Sequence, residues 1–560
     1  MKFLLAIFAF LILHSAFLIP AQAIVDPLSV PNNKFGIHII SGTPDESSPS
    51  SSLVNSTGGD WGYITFLIES KDRNEGKWQE FFNDLRRRHL IPIVRLATKP
   101  NEGNWEKPYE GEETAWADFL DKLNWPIKNR YVVIYNEPNH GTEWNGTVDP
   151  KTYAQVLDKT ITALKNKSKD FFVINAGLDA SAPQLLPKYM DEAVFLRQME
   201  EAVPGIFNKL DGWSSHSYPN PAFAGSPNGV GKGSVRTYIW ETQLLRSLGL
   251  TKNLPIFITE TGWKHAEGLS YDPSLPSAEN VAQFYQQAFR GAWNSSNIVA
   301  ITPFLLSYQE SLFDHFSFKN LDKNGGWYPQ FQALMDLPKN KGLPIQENKA
   351  QLVSGEVYSS LVAGQNYSIN LSFKNIGQSI WNPSTSLRAI VGGSELGIQE
   401  TRIPEGISIE PGGEYTLNIA LKAPEKGSFD IKLALFQAGR QFDTDPISFK
   451  TEVKLPVILK VLSTLRLKDN PSGEYILKVS GVVGDLSQKV TLGANGQSKD
   501  IEARYLLPDY SFEFSLEKPF YSSKTITQKV SPGVNTLDFG TLNPDILSII
   551  LHPVTYLKQK

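Results

Sequence analysis

The chain has 560 residues, 54 basic and 58 acidic side chains, a net charge of −4 and no cysteine. A charge this close to neutral argues against a nucleic-acid partner and suits a neutral substrate. Without cysteine there are no disulfides and no thiolate metal sites, so large hydrophobic cores must hold the fold. At roughly 150 residues per domain, the length suggests three or four domains.

The first 23 residues have the pattern of a secretory signal peptide. Met1 and Lys2 give a short basic start, the stretch from Phe3 to Ile19 is almost wholly apolar, and a small-x-small cleavage site ends at Ala23. This pattern predicts that residues 1–23 are removed and that the mature chain begins at residue 24. The alternative is an uncleaved membrane anchor, because the apolar stretch is near the lower length limit for spanning a bilayer. Since the chain also lacks cysteine, we expect a secreted or cell-surface protein of a bacterium.

Strand-like apolar runs alternate with amphipathic helical segments over residues 24–345. The predicted strands are Phe35–Ile39, Tyr63–Ile68, Pro92–Leu96, Tyr131–Tyr135, Phe172–Ala176, Gly212–His216, Ile256–Thr259 and Val299–Leu305. Eight strands, each followed by a helical pattern, are typical of a (β/α)8 TIM barrel of the α/β class. The weakest part is Thr43–Asp60, which is rich in Ser and Gly and predicts no clear helix.

Two glutamates close apolar runs in this region. Glu137 closes the run that begins at Tyr131, and Glu260 closes the run that begins at Leu254. An isolated charge is costly to bury, so a carboxylate at the end of a strand is expected at the rim, where TIM barrels keep their active sites. Two carboxylates from distant strands are what glycosidic bond cleavage needs, one as the acid and the other as nucleophile or base.

The residues around these glutamates resemble glycoside hydrolases of clan A, which are retaining TIM-barrel enzymes. The string Asn136-Glu137-Pro138-Asn139 follows the fourth predicted strand, Glu260 ends the seventh, and His216-Ser217-Tyr218 ends the sixth. The resemblance implies that Glu137 is the acid/base and Glu260 the nucleophile. It further implies that Asn136 binds a sugar hydroxyl, that Tyr218 orients the nucleophile, and that Arg95 and His216 belong to the substrate site. The Tyr-Asn-Glu-Pro-Asn string is most similar to the family of β-xylosidases, iduronidases and exopolysaccharide hydrolases.

One position departs from the clan pattern. The clan often places a Trp at the end of the eighth strand, as a floor for the central sugar, whereas this chain has Phe304 and Tyr308 there. Either of these residues takes its place, or the floor is built differently. Trp263 and Trp144 are predicted to be exposed loop aromatics that line sugar subsites, and Trp61 is predicted to be exposed as well. No cluster has metal-ligand spacing and no phosphate-binding glycine loop is present, so no metal or cofactor is expected.

The pattern changes after residue 345, where alternating strands follow one another with turns between them. Two all-β sandwich domains are predicted, at residues 346–455 and 456–560. The first contains Asn375, Gly377 and Trp381 in an arrangement that resembles an immunoglobulin-like module found appended to bacterial hydrolases. The second resembles a prealbumin-like sandwich more vaguely. We expect a monomer whose C-terminal domains attach it to cell wall or polysaccharide.

These patterns together predict a secreted retaining O-glycoside hydrolase that acts on a poly- or oligosaccharide. The alternative is a non-catalytic carbohydrate-binding or cell-surface structural protein with a relic barrel. Intact Glu137 and Glu260 favour the enzyme. The sequence leaves open the sugar, the linkage and the choice between endo and exo action.

Overall fold

The computed structural model describes residues 24–320, 325–481 and 484–559. The predicted signal peptide lies outside these residues. The described chain up to Glu347 forms one compact unit, and the chain from Asn348 onward forms a second. None of the helices in the described residues is long and apolar enough to cross a membrane.

The first unit is a closed barrel of parallel strands. Its strands are β1 (Gly36–His38), β2 (Gly62–Glu69), β3 (Leu90–Ala97), β4 (Arg130–Val133), β5 (Phe171–Ile174), β6 (Trp213–His216), β7 (Ile256–Glu260) and β8 (Ile298–Ile301). Strands β1 to β5 pair in sequence order, as do β6 to β8. Parallel bridges from Ile174 to Gly212 and from Phe35 to Ile301 join the two sheets. The predicted TIM barrel is therefore confirmed, with all eight strands in sequence order.

Helices surround the barrel. They are α1 (Pro44–Val54), α2 (Glu75–Arg87), α3 (Glu112–Lys122), α4 (Pro150–Lys167), α5 (Glu192–Ala202), the short α6 (Ile206–Lys209), α7 (Thr237–Ser247), α8 (Ala278–Arg290) and α9 (Pro329–Met335). Apolar side chains on their inner faces pack against the outside of the strands in one continuous core. The barrel interior is filled by its own side chains, among them Tyr63, Ile93, Tyr131 and Phe172. Burying each of these large side chains contributes about 1.5–3 kcal/mol.

Helix α1 corrects the expectation that Thr43–Asp60 holds no helix. Pro44 occupies its first turn, where a missing N–H costs nothing, and acidic side chains follow it there. Two of its serines are buried, because the Ser47 hydroxyl binds the Asp84 carboxylate and the Ser50 hydroxyl donates to the Glu46 carbonyl oxygen. The inner face of this helix is therefore partly polar, and an apolar periodicity could not have revealed it.

The second unit consists of β-strands with two separate cores. Its strands are β9 (Ala350–Gly355), β10 (Ser360–Val362), β11 (Asn366–Asn375), β12 (Thr385–Val391), β13 (Thr401–Arg402), β14 (Glu414–Lys422), β15 (Gly427–Gln437), β16 (Arg440–Gln441), β17 (Ile447–Lys454), β18 (Val457–Leu465), β19 (Gly473–Ser480), β20 (Leu486–Leu492), β21 (Ile501–Ala503), β22 (Ser511–Lys518), β23 (Tyr521–Lys529) and β24 (Gly533–Leu542). Two short helices follow, α10 (Ile546–Leu551) and α11 (Pro553–Gln559).

Each core of the second unit lies between two sheets. Sheets β9-β11-β14 and β10-β17-β15-β12-β13 enclose a core that contains Trp381. Sheets β21-β18-β24 and β20-β19-β22-β23 enclose the other core, around Leu459 and Phe514. The Asn375 side-chain oxygen accepts the Gly377 N–H at 3.0 Å and so fixes the turn before Trp381. The region after residue 347 is thus all-β apart from its two final helices, as predicted.

Candidate active site

The two predicted catalytic glutamates lie at the carboxyl ends of β4 and β7. Glu260 is the last residue of β7 and is 7% exposed. Glu137 lies four residues beyond Val133, where β4 ends, so the expectation that it ends the strand itself is wrong. Tyr135 and Glu137 have φ angles of 70° and 28°, which turn the chain sharply after the strand. Such left-handed backbone is costly for a residue other than glycine and concentrates at functional sites.

The structure brings the two carboxyl groups together. One carboxylate oxygen of Glu137, one of Glu260 and one ring nitrogen of His216 all lie within 4.8 Å of one another. Because the three side chains come from the ends of β4, β6 and β7, only the closed barrel could assemble them.

Glu260 is held in its ionised form by the groups around it. The Arg95 Nη1 donates to Oε1 at 2.6 Å, and the Tyr218 hydroxyl donates to Oε2 at 3.0 Å. His38 lies 3.7 Å from Oε1 through its Nε2. Burial raises the pKa of Glu260, but the charges of His216 and Arg95 and the Tyr218 hydrogen bond outweigh it, so the net pKa lies below its usual value. A buried carboxylate with these donors is an anion at neutral pH.

Glu137 is contacted by two imidazoles. The His216 Nδ1 forms a 2.7 Å hydrogen bond with Oε1, and the His140 Nδ1 lies 3.8 Å from Oε2. Burial lowers the pKa of His216, but the charges of Glu260 and Glu137 and the hydrogen bond to Glu137 raise it above the usual value. A β-carbon on Gly177 would lie 2.1 Å from the His216 ring, so only glycine leaves room for the ring there. His216 therefore sits between the two carboxylates and bonds to Glu137.

Asn136 is tied to the site through its side-chain oxygen. Its Oδ1 accepts a 2.7 Å hydrogen bond from the same Arg95 nitrogen that binds Glu260. Its side chain also lines a small pocket together with Glu143. Burial raises the pKa of Glu143 to about 7, Arg95 opposes this rise, and the charges of Glu137 and Glu260 add to it. The site therefore contains a third carboxyl group.

Sequence reasoning missed two residues of this site, Glu143 and His38. Glu143 follows Glu137 by six residues in the same loop, and its local sequence has no pattern that marks it. His38 ends β1, is fully buried, and has no hydrogen-bond partner on either ring nitrogen among the described residues. Burial lowers the pKa of His38 to about 3, so this imidazole is neutral. The sequence signal available for His38 was its place as a polar residue at the end of a predicted barrel strand, where active-site residues lie.

The expectation of three exposed tryptophans is wrong. Trp263 is 1% exposed, donates its Nε1–H to the Gly225 carbonyl oxygen at 2.8 Å, and packs against Tyr285, so no face is left for a sugar. Trp144 is also 1% exposed, although one edge lines a small pocket beside the site. Trp61 is buried just before β2 begins, at the opposite end of the barrel.

An aromatic cluster that includes Tyr218 lies next to Glu260. Phe304 follows β8, is buried, and packs edge-on against Phe313 and Phe316. Tyr308 is half-buried and contacts Phe313. The position where the clan often has a Trp is thus part of an apolar cluster that also contains Tyr218.

Distance alone would allow Glu137, His216 and Glu260 to share a metal ion. The Arg95 guanidinium already binds the Glu260 carboxylate at 2.6 Å and supplies positive charge there. We therefore interpret these side chains as an acid–base site.

No protein-family model matches this sequence, and no curated protein matches it. Among solved structures, the chain is similar to a family 39 glycoside hydrolase from the gut symbiont Bacteroides cellulosilyticus WH2. The identity is 14%, the match covers 71% of this chain and 82% of that one, and the TM-score is 0.38. A β-mannanase from Thermomonospora fusca matches at 12% identity over 55% and 89% of the two chains, with a TM-score of 0.34. An endo-β-1,3-glucanase of glycoside hydrolase family 128 from Sorangium cellulosum matches at 15% identity over 55% and 98%, with a TM-score of 0.36.

Proposed function

We propose that the protein is a secreted O-glycoside hydrolase that cleaves a poly- or oligosaccharide by double displacement, with retention of configuration. The observation that carries the proposal is the pair Glu137 and Glu260, which lie within 4.8 Å through their carboxylate oxygens at the mouth of a TIM barrel. Retaining glycosidases hold their carboxyl groups about 5–5.5 Å apart, whereas inverting ones need about 6.5–9.5 Å to admit a water molecule. The short separation supports retention.

In the first step, Glu260 attacks the anomeric carbon of the sugar. A bond forms between a Glu260 oxygen and that carbon, the glycosidic carbon–oxygen bond breaks, and Glu137 gives its proton to the departing oxygen. Arg95 and Tyr218 keep Glu260 ionised and fix the direction of its oxygens. The nucleophile is therefore ready before the sugar arrives.

In the second step, water releases the sugar from Glu260. Glu137, now ionised, takes a proton from the water, and the water oxygen attacks the anomeric carbon as the bond to Glu260 breaks. His216 contacts Glu137 at 2.7 Å and lies 3.8 Å from Glu260, so it can respond to the charge that moves between them. The cycle ends with both carboxyl groups in their starting states.

Azide rescue of two alanine variants tests the roles of the two carboxylates. Glu260→Ala should lose turnover on every substrate, and azide should restore a product of inverted configuration by filling the vacated space. Glu137→Ala should still form the glycosyl-enzyme from substrates with good leaving groups, because these need no protonation. Azide should then give a product of retained configuration.

Glu110→Ala is the matched control, because Glu110 is an exposed glutamate on the same unit. It should keep wild-type activity without azide. If the Glu137 and Glu260 variants both match the wild type on a substrate that the wild type cleaves, the catalytic assignment is wrong. If the wild type cleaves no glycoside but binds polysaccharide, the protein is a carbohydrate-binding protein with a relic barrel.

We also propose export and attachment for this protein. The pattern of residues 1–23 supports secretion. The β-domains after residue 347 form a compact unit of their own, which supports a role in attachment to polysaccharide or cell wall. Fractionation of cells that express the full chain tests export. Pull-down with insoluble polysaccharide, with and without residues 348–560, tests attachment.

A further inference from the structure

His140 and Asp179 form an ion pair beside Glu137, which we call the loop pair. His140 lies in the loop after β4, and Asp179 lies in the loop after β5. The His140 Nε2 bonds to the Asp179 Oδ2 at 2.8 Å, and the other ring nitrogen, Nδ1, lies 3.8 Å from the Glu137 Oε2. The two nitrogens of one imidazole therefore face two different carboxylates.

Contacts between the two loops hold the loop pair in place. The buried Asn139 side chain accepts the Asp179 N–H at 3.2 Å through its Oδ1 and donates to the Asp179 carbonyl oxygen at 2.9 Å through its Nδ2. The Glu137 N–H donates to the Gly177 carbonyl oxygen at 3.1 Å, so the chain at Glu137 is tied to the same neighbouring loop. The fold itself therefore sets the position of the His140 ring relative to Glu137.

The surroundings favour the imidazolium form of His140. Burial lowers the pKa of His140, but the hydrogen bond to Asp179 and the charges of Glu137, Asp179 and Glu143 raise it more, so the net pKa lies above its usual value. Tyr189 packs edge-on against the ring, with 4.9 Å between the ring centroids. Burial raises the pKa of Asp179, but its hydrogen bond to His140 and the charge of His140 are the main interactions that bring it below its usual value. The loop pair is therefore a cation and an anion, with the cation facing Glu137.

The proposed reaction moves a negative charge from Glu260 to Glu137. Before the first step Glu260 is ionised and Glu137 holds the proton, whereas in the glycosyl-enzyme Glu260 is a neutral ester and Glu137 is the carboxylate. Arg95 faces this charge at its origin, since its Nη1 binds Glu260 at 2.6 Å. His216 lies 2.7 Å from Glu137 and 3.8 Å from Glu260, so it serves either position of the charge. His140 faces the charge at its destination.

We infer that His140, held by Asp179, is a positioning residue that balances the negative charge on Glu137 in the glycosyl-enzyme. The inference rests on the proposed function and assigns the loop pair a role in it. The imidazolium stabilises the carboxylate that Glu137 becomes when it gives up its proton, and His140 keeps its own proton in both steps. Asp179 keeps the imidazole charged and directs it at the Glu137 Oε2.

The pH profiles of His140→Gln test this role. The probes are the phenyl and 2,4-dinitrophenyl glycosides of β-D-xylose, β-D-glucose or β-D-mannose, whichever sugar the wild type cleaves fastest. The phenyl glycoside needs protonation, so the alkaline limb of its kcat/KM reports loss of the Glu137 proton in the free enzyme. The dinitrophenyl glycoside does not, so hydrolysis of the glycosyl-enzyme limits its kcat, and the acid limb of that kcat reports protonation of Glu137 in the intermediate. Because a nearby cation favours the carboxylate form, its removal should move both limbs to higher pH, by about 0.5–1 pH unit.

Asp179→Asn tests the second member of the loop pair. This change keeps the shape of the side chain and removes the charge that holds His140 in its imidazolium form. Both limbs should again move to higher pH, by less than in His140→Gln, since the change also removes a negative charge near Glu137. In the double variant, Asp179→Asn should move the limbs no further upward, because no imidazole is left for it to act on.

His89→Gln is the matched control. The His89 Nδ1 bonds to the Asp60 Oδ1 at 2.7 Å, so it belongs to a histidine–aspartate pair of the same kind. His89 directly precedes β3 and so lies at the end of the barrel opposite the carboxyl ends of the strands. This variant should keep the wild-type kcat and both wild-type limbs.

Two results would overturn the inference while leaving the proposed function standing. One is a His140→Gln variant whose limbs do not move, even if its kcat falls, since the histidine would then only support the loops. The other is a shift of the limbs to lower pH, since His140 would then not act on Glu137 as a cation. If the wild type itself hydrolyses no glycoside, the proposed function fails, and the inference fails with it. Thermal melting of each variant shows that it is folded, and Asp179→Asn decides the question if His140→Gln does not fold.

Discussion

Removing the Tyr218 hydroxyl tests how the barrel prepares its nucleophile. In Tyr218→Phe, Glu260 loses the 3.0 Å hydrogen bond on Oε2 and keeps the 2.6 Å bond from Arg95 on Oε1. The lost bond is charge-assisted and lies at a buried carboxylate, and such bonds contribute about 1.5–3 kcal/mol. If that energy supports the attacking geometry, kcat/KM falls about tenfold to a hundredfold, at about 1.4 kcal/mol per factor of ten.

The same variant should shift the pH profile. The Tyr218 hydrogen bond is one of the interactions that lower the pKa of Glu260, so its loss raises that pKa. Glu260 must be ionised to attack, and the acid limb of kcat/KM therefore moves to higher pH. Initial rates on an activated aryl glycoside, measured from about pH 3 to pH 8, give both quantities.

Tyr238→Phe is the matched control for this experiment. The Tyr238 hydroxyl donates to the Ala292 carbonyl oxygen at 2.8 Å, away from the catalytic groups. Its loss should cost about 1 kcal/mol of folding stability and leave the acid limb in place. If Tyr218→Phe keeps the wild-type rate and the wild-type acid limb, the hydroxyl does not act on Glu260 and the reasoning is refuted.

Three further predictions concern stability. Burial and the Glu241 charge raise the pKa of Glu192 in the folded state, so the wild-type fold loses stability as the pH rises above the ordinary pKa of a glutamate. Glu192→Gln removes this loss, so in urea unfolding the variant should gain stability over the wild type by up to about 1.4 kcal/mol per pH unit. A stability difference that is independent of pH would contradict this. Lys339→Met should lower the free energy of unfolding by about 2–3 kcal/mol, because the Lys339 ammonium donates to backbone carbonyls at the end of α9. An unchanged midpoint of urea unfolding would contradict this prediction. Truncation after Glu347 should leave a folded barrel with a cooperative thermal transition, whereas truncation after residue 341 should destabilise it by removing the Ile345 carbonyl that accepts a 2.8 Å backbone hydrogen bond.

The barrel could be predicted from sequence because its strands are buried on both faces. A strand such as Tyr131–Tyr135 is a continuous apolar run bounded by polar residues, and this signal is local. Helix α1 gave no such signal, since Ser47 on α1 and its partner Asp84 on α2 become adjacent only after the two helices pack together. The end of β4 was also placed too late, because the left-handed turn at Tyr135 is not encoded by a glycine.

The candidate site was partly predictable because some of its residues also carry a local sequence signal. Glu137 and Glu260 stand beside recognisable strings, so sequence alone could single them out. Glu143 stands beside no such string, and only the folded barrel brings Arg95 from β3 into the pocket that Glu143 lines. Trp263 shows the opposite error, since an aromatic residue soon after a strand is exposed or buried according to the helix packed over it, here α8 with Tyr285.

Mass spectrometry of a trapped intermediate tests the central claim most directly. The enzyme is incubated with 2,4-dinitrophenyl 2-deoxy-2-fluoro-glycosides of neutral sugars, digested, and its peptides are sequenced. The fluorine slows both the formation and the hydrolysis of the glycosyl-enzyme, and the good leaving group restores the rate of its formation. The covalent glycosyl-enzyme should therefore accumulate. We expect one added sugar mass on the peptide that contains Glu260, and none in Glu260→Ala. A sugar attached at another residue, or hydrolysis of the parent glycoside with inversion and no adduct, would contradict the account.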